Sequence, residues 1–493
     1  MSLVGDKLKS IIQENNINIY QLAKRAGIER TTIHKVINSN RIPSREYFNR
    51  LMDSMPLTAN ERSELIHCFE ISTIGEFRYM QRRQVKNLIE HVSELASFLL
   101  PRELQVETAR GAQSPAEEYL AVYGEFAVNN LLEGIVNEAF MHQDPMINFF
   151  MPADYTFFFD SLFMRYAKNC VVNIKCILEF QKTTGKTERR NANLDALHTL
   201  LPFLALPREG FDAYYVYSAH PVQSISILAM PFFVITNNAV LTLSPDLRTA
   251  IAQRNQIVAS GYMHSFRNIL SQTRPLMTRY TIFDILSHYR DTYMNNKATV
   301  KSSIEPHPCV GSNVTAEFIE SHLKEDVPDR EALVNSTTQY FQTLASVDEK
   351  KISLFTKEGF ESFQDQGLIP YLPMRYSRGF SEMERAEMIR RLLRDIDEGR
   401  TEARLINQAK FRVPTFATLT VAGETGLNVT IGSPDNSNII YIDEISIVDA
   451  FDDFMQNILV TDLVYTKEET LAVLENALEK LTIVSKDEAL HSE

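Results

Sequence analysis

The chain is poor in cysteine and in the short strings that mark common chemistries. Four cysteines, Cys68, Cys170, Cys176 and Cys309, are scattered through 493 residues with no CxxC spacing. That argues against a disulfide frame or a cysteine zinc site and fits reduced thiols. No G-x-S-x-G, Walker A, GxGxxG or HExxH string is present, so no familiar nucleophile, phosphate cradle, dinucleotide loop or zincin is written in the sequence. His198, His220 and His264 lack metal-like spacing and read as structural histidines, so neither a metal nor a cofactor is implied. The N-terminal MSLVGDKLKS has no apolar signal core. Long hydrophobic runs are also missing. The longest charge-free stretch, Ala213 to Pro245, is broken by Pro221, Pro231, Asn237 and Asn238, and reads as several strands rather than a membrane span. A cytoplasmic protein without membrane contact is expected.

Apolar content of 44% and charged content of 23% are globular values, and the length implies two to four domains. The net charge is -13, which keeps most of the chain off DNA. One stretch departs from this balance. Residues 24 to 50 hold Lys24, Arg25, Arg30, Lys35, Arg41, Arg45 and Arg50 against Glu29 and Glu46, a local net charge of +5. A basic island in an acidic chain is the footprint of phosphate contact.

The island overlaps IYQLAKRAGIERTTIHKVINSN, Ile19 to Asn40. Leu22, Ala23, Ala26, Ile28, Ile33, Val36 and Ile37 fall at helical spacing. They predict two short helices joined at Gly27, where a left-handed backbone is cheapest without a Cβ. Ala23 is small enough for close helix packing, and Ile28 plugs the turn. The second helix then turns polar donors outward, as a helix in a DNA major groove must.

This pattern resembles the helix-turn-helix of Cro/phage-repressor (XRE) regulators over roughly the first 70 residues. The resemblance implies five helices, read here at Val4 to Glu14, Tyr20 to Ala26, Arg30 to Asn38, Ser44 to Met55 and Thr58 to Phe69. It places Gln21 at a phosphate-contacting position. Two departures stand out: Glu29 replaces the usual Ser or Thr N-cap, and Asn40 stands where a Gly often ends the recognition helix. Arg30, Thr31, Thr32, His34 and Lys35 are the expected contacts at base edges or nearby phosphates. Gln21, Lys24, Arg41 and Arg45 are the expected backbone-positioning residues.

Beyond the head, residues 71 to 107 read as helix, with a stripe at Val85, Leu88, Ile89, Val92, Leu95 and Leu99. It suits a connector, a dimer contact or simple packing on the body. Thr108 to Pro115 reads as a linker. The body alternates helix and strand patterns. Helices are expected at Asp154 to Ala167, at Leu194 to Leu206 as far as Pro202, and through Pro245 to Gln272. Strands are expected at Val171 to Phe180, Tyr214 to Tyr217, Ser224 to Ala229, Phe232 to Thr236 and Ala239 to Ser244, the last two joined by an Asn237-Asn238 hairpin turn with positive φ. Turn-rich residues 296 to 315 suggest a boundary. After a helical segment from Ala316 to Val347 the grammar recurs: a helix at Ser381 to Glu398, strands at Ala403 to Gln408, Phe416 to Val421, Leu427 to Ser433 and Asn438 to Asp443, then helices at Ile445 to Leu459 and Glu468 to Leu481. An internal duplication is the reading.

His322, Lys324 and Asp329 fit the HxKxxxxD motif of the phospholipase D superfamily, in which the His is the nucleophile and the Lys binds phosphate. The family needs two such motifs, and only one is found, in a segment that looks helical. The body's layout resembles the duplicated phospholipase D-like fold that some regulators use as a non-catalytic sensor. Aromatic groups at Phe149-Phe150, Phe157 to Phe159 and Tyr214, Tyr215 and Tyr217 could line a cleft, although such clusters are more often core.

The expectation is a multidomain chain: an all-α helix-turn-helix head (1–72), a connector and linker (73–115), an α/β (α+β) body in two halves (116–295 and 296–485) and a disordered tail (486–493). It implies a transcriptional regulator, not an enzyme. Its expected partners are double-stranded DNA, a second copy, and a small-molecule or peptide effector. The rival readings are an effector phosphodiesterase or nuclease with a DNA-targeting head, and a scaffold that binds no DNA.

Overall fold

The computed structural model describes residues 2–95, 118–168, 172–182, 189–206, 209–217, 229–280, 300–309, 315–327, 329–345, 350–367, 376–422, 426–433 and 436–491. The chain forms two compact units, Met1–Arg83 with Thr183–Asn191, and Gln84–Lys182 with Ala192–Glu493.

The first unit holds five short helices, α1 (Leu3–Glu14), α2 (Ile19–Ala26), α3 (Arg30–Asn38), α4 (Arg45–Ser54) and α5 (Ala59–Ile74). Four of them start at a side-chain cap: Ser2, Asn18, Ser44 and Thr58 each accept a hydrogen bond from a first-turn backbone N–H. Val4, Leu8, Ile11, Leu22, Ile33 and Leu65 form the centre of a core that all five helices share. Gly5 is the closest approach within it, because a Cβ there would lie 2.4 Å from the Val36 carbonyl oxygen. This glycine lets α1 seat directly on the backbone of α3.

The Thr58–Glu61 capping box that starts α5 carries a pH dependence. Hydrogen bonds from the Thr58 hydroxyl and backbone N–H, and from Asn15, lower the Glu61 carboxyl from its ordinary 4.5 to about 2. A depressed carboxylate contributes stability above its unfolded value and loses it as pH falls through the folded value. The head of the wild-type protein is therefore expected to lose this contribution between pH 4.5 and 2. Glu61→Gln should flatten that part of the pH–stability curve, read as the helical circular-dichroism signal against pH.

Gly75, at φ +86°, breaks the long helical series, and α6 (Glu76–Glu94) follows it. Val85, Leu88, Ile89, Val92 and Leu95 of that stripe are all buried in the core of the second unit. The stripe is thus spent on packing within the body, not offered to a second copy. Leu99 and the linker Thr108 to Pro115 lie outside the described residues.

Two sheets organise the body. The first has the order β1-β7-β6-β5-β2-β3-β4-β8, from β1 (Tyr119–Tyr123), β2 (Met146–Phe150), β3 (Asn173–Phe180), β4 (Phe211–Tyr217), β5 (Phe232–Thr236), β6 (Val240–Leu243), β7 (Thr249–Gln253) and β8 (Arg274–Pro275). The second has the order β12-β11-β10-β13-β14-β15-β9, from β9 (Thr278–Tyr280), β10 (Val300–Glu305), β11 (Lys351–Phe355), β12 (Thr401–Leu405), β13 (Ala417–Ala422), β14 (Gly426–Ser433) and β15 (Asn436–Ile442). In each, three consecutive strands run parallel: β2, β3 and β4, then β10, β11 and β12. In each, the first of the three is flanked on its other side by an antiparallel strand, β5 or β13, that opens a three-strand meander. An earlier strand, β1 or β9, closes the far edge of the meander. Among the described residues the order repeats strand for strand, with β8 as the one addition. The body holds two similar sheets.

Helices complete each half. In the first are α7 (Glu125–Phe140), α8 (Thr156–Tyr166), α9 (Ala192–Ala205) and α10 (Gln256–Leu270). In the second are α11 (Ala316–His322), α12 (Arg330–Ala345), α13 (Lys357–Gln366), α14 (Glu382–Asp397), α15 (Ile445–Ile458) and the final α16 (Lys467–His491). No helix among the described residues is long and apolar enough to cross a membrane.

Several expectations need correction. Pro202 does not end α9, which runs on to Ala205; its buried Leu194, Leu197, Leu200, Leu201 and Leu204 offset the roughly 3 kcal/mol that an internal proline costs. The stretch from Pro245 is not all helix, because β7 precedes α10. Within the turn-rich 296 to 315, β10 (Val300–Glu305) is a strand of the second sheet. The helical reading of Ala316 to Val347 is two helices, and β11 and α13 had no clear sequence signal. Neither Asn237 nor Asn238 takes a positive φ. Asn237 instead accepts from the Met146 N–H and donates to the Asp144 carbonyl, tying the hairpin to the start of β2. Residues 486–491 continue α16 rather than forming a disordered tail. The strand expected at Ser224 to Ala229 lies almost wholly outside the described residues.

Candidate nucleic-acid interface

The turn between α2 and α3 is built as its residues dictate. Gly27 closes α2 at φ +62°, a conformation that favours glycine. A Cβ there would also meet the Arg50 guanidinium at 2.6 Å. Arg50 explains the crowding. Its Nε donates to the Ala26 carbonyl at 2.9 Å and its Nη2 to the Gly27 carbonyl at 2.6 Å. It caps the end of α2 from α4 and fixes the angle at which α3 leaves the turn. Sequence reasoning counted Arg50 as charge and missed this role; only the packing of α4 beside α2 reveals it.

On α3, Ile33, Val36 and Ile37 are buried, while Arg30, Thr31 and Lys35 are exposed and Thr32 and His34 half-buried. All five expected reading residues therefore lie on one helix with its apolar side anchored. Arg30 Nε and His34 Nε2 are 3.2 Å apart, one turn along the same surface. Glu29 occupies the N-cap without capping; its carboxylate accepts instead from the Thr31 hydroxyl at 3.2 Å. Asn40 does not supply the left-handed stop. The helix ends at Ser39 in extended backbone, and the Ser39 hydroxyl donates back to the Lys35 carbonyl.

The positioning residues divide. Gln21, Lys24 and Arg41 are exposed, Gln21 with its backbone N–H held by the Asn18 side chain. Arg45 is engaged elsewhere, paired with Glu70 at 2.7 Å and lying over the Phe69 ring. Of the seven cations counted in the basic island, Arg45 and Arg50 thus act within the head, and Lys24, Arg25, Arg30, Lys35 and Arg41 carry its outward charge.

The string at His322, Lys324 and Asp329 lies at and beyond the end of α11. His322 ends α11, stacked on Phe318 with ring centroids 4.3 Å apart and packed against Phe380. Its Nε2 lies 3.2 Å from Glu384 and its Nδ1 2.8 Å from the Phe318 carbonyl. Asp329 follows in left-handed backbone at φ +50°. These contacts are what a structural histidine makes.

Half of the aromatic groups are core. Phe149, Phe158 and Phe159 are buried, with Phe149 edge-on to both others. Phe157 is exposed, Phe150 and Tyr214 are half-buried, and so is Tyr217. Its hydroxyl donates at 2.6 Å to Glu444, which also accepts from Ser446, and Asn193 donates to Ser446 in turn. Burial, with the Glu444 carboxylate beside it, pushes the Tyr217 hydroxyl well up. This chain of polar groups joins the two halves. Of the histidines, His198 stacks on His91, and burial lowers its pKa; His264 is exposed; His220 lies outside the described residues. Among the described residues no cluster has the makings of a metal site, and Cys68, Cys176 and Cys309 are free thiols.

Residues 7–53 match the family model of the Cro/C1-type HTH DNA-binding domain, a span that runs from α1 into α4. The chain carries a helix-turn-helix DNA-binding domain. No curated protein matches the chain. Among solved structures, it is similar to TrmBL2, an archaeal chromatin protein described as showing a novel mode of DNA binding (12% identity, 55% of this chain and 98% of that one, TM-score 0.22). It is also similar to a phosphatidylserine synthase of Haemophilus influenzae Rd KW20 (10% identity, 83% of this chain and 99% of that one, TM-score 0.24). At such scores the body's architecture is read from its own strands.

Proposed function

We propose that the chain is a cytoplasmic transcriptional regulator that binds a two-fold-related operator as a homodimer, with a non-catalytic body that senses a small-molecule or peptide effector or mediates assembly. The observation that carries the reading is α3: a nine-residue helix with three buried apolar positions on one side and Arg30, Thr31 and Lys35 exposed on the other. One such helix reaches only a few base pairs, so a dimer on repeated half-sites is the geometry that gives affinity. The structural packing of His322 supports a body without phosphodiesterase activity. The ties among Tyr217, Glu444, Ser446 and Asn193 offer a route by which an effector could alter the two halves together.

Selection of bound duplexes from a random DNA pool, followed by footprinting at two salt concentrations, tests this. A two-fold-symmetric protected site, weakened by salt, is expected. Failure to enrich any sequence at either salt overturns operator reading and favours a scaffold role.

A further inference from the structure

Charge is divided unevenly between the two units. The first, Met1–Arg83 with Thr183–Asn191, holds 16 Lys and Arg against 10 Asp and Glu, which leaves the second with 34 against 53. The five helices of the head account for little of the first unit's excess. Residues 1–74 hold 10 cations against 8 acids, whereas 75–83 and 183–191 together hold 6 against 2. Most of the unit's net positive charge therefore lies outside the helix-turn-helix fold.

Among the described residues this charge is all arginine. On α6, Arg78 and Arg83 are exposed and Arg82 is half-buried; Arg189 and Arg190, more than 100 residues on, are exposed as well. The two segments meet where Arg189 Nε lies 3.9 Å from Glu76 Oε1. Glu76 is the one acid in the described part of this patch. Its pairing is weak, because Arg189 is 83% exposed. The patch is tied to the head by side-chain contacts. Arg83 lies over the Tyr79 ring, 5.9 Å from its centroid, and Tyr79 stands edge-on to His67 of α5 at 4.8 Å. Almost one turn further along α5, Glu70 holds Arg45, which opens α4 just after the loop that follows α3.

Arginine suits one kind of partner. Its planar fork bonds two phosphate oxygens at once, and it stays charged at any working pH. A duplex held by α3 also runs on past the few base pairs that one helix covers. We propose that Arg78, Arg82, Arg83, Arg189 and Arg190 bind the phosphate backbone of duplex DNA beside the half-site. The inference rests on the DNA-binding reading above and adds a second, sequence-independent contact to it. Two of its five cations come from a segment far along the chain, so the five-helix head lacks them.

Fluorescence anisotropy of the full chain, over a range of salt concentrations, tests this. The probes are duplexes selected from the random pool, cut to the protected site or extended by flanks, and a scrambled duplex of the longer length. The variants are Arg78→Gln with Arg83→Gln, and Arg189→Gln with Arg190→Gln. Arg390→Gln with Arg394→Gln, two exposed arginines of α14 in the other unit, is the control for lost charge. Each patch variant should keep the wild-type circular dichroism and melting. Each should bind selected and scrambled duplexes alike about tenfold more weakly, lower the salt slope by about two, and gain less from added flanks. The two pairs lie on separate segments, so if one misfolds the other decides. Folded patch variants that match the control overturn the proposal, the case of an acidic protein partner included, and leave the operator reading standing. Weakening confined to the selected duplex also overturns it, since phosphate contacts carry no sequence information. A wild-type chain that binds neither duplex at any salt overturns both the patch and the reading beneath it.

Discussion

Alanine at Arg30 or Lys35 is expected to weaken operator binding by about tenfold or more each, on the order of 1–3 kcal/mol for a base-edge contact. Both side chains are exposed on α3, and neither helps bury Ile33, Val36 or Ile37. Helical content and melting should therefore stay at wild-type values. The two losses should differ in kind. A residue on phosphate weakens all sequences alike and lowers the salt dependence by about one counterion; a residue on a base edge relaxes specificity at one position. Arg30 is the better candidate for the base edge, because its fork can bond a guanine bidentately. It must first leave His34, 3.2 Å away. Fluorescence anisotropy with operator and scrambled duplexes at two salt concentrations reads both quantities. Unchanged affinity in both variants would remove α3 as the reading helix.

Phe149→Ala should be the most damaging single change to the body. Phe149 is fully buried on β2, the strand where the parallel set of the first sheet meets the meander. Its ring sits edge-on to Phe158 and Phe159 at centroid distances of 4.8 and 5.7 Å. Truncation removes the apolar contact and leaves a cavity that two sheet neighbours and a helix cannot close, a loss of about 3–5 kcal/mol. Phe149→Leu keeps most of the volume and should cost under about 1.5 kcal/mol. Urea midpoints for the two variants test the ordering. A Phe149→Ala midpoint equal to that of Phe149→Leu would mean the site collapses freely and is not the rigid centre described.

The head was legible in the sequence because its information is local. Caps, the Gly27 turn and apolar positions three and four apart lie within one or two turns of each other, so α1 to α5 appear within a few residues of where the spacing puts them. Helices in such a bundle need no distant partner to be recognised. What the spacing could not show was which charges are already engaged by partners. Arg45 and Arg50 look the same as Lys35 on paper. Only the packing of α4 beside α2, and of Glu70 beside Arg45, engages two of them in contacts within the head.

The body was half legible for the opposite reason. Its later strands, β13 to β15, pair with near neighbours in the chain and alternate clearly. β10 does not: VKSSIE reads as a polar turn, yet Ser302, Ser303 and Glu305 are buried. Its partners, β11 and β13, arrive from residues far along the chain. Burial of a polar strand between two distant partners is a tertiary fact, and no local pattern encodes it. The HxKxxxxD string shows the same limit. Spacing fixes the identity of His322, Lys324 and Asp329, but chemistry depends on what surrounds them, and there the surroundings are Phe318, Phe380 and Glu384. The sequence by itself determined a DNA-binding head on a mixed body with a repeating grammar. The tertiary structure decided that the body holds two sheets of similar strand order, because strand order is set by contacts between residues distant in the chain.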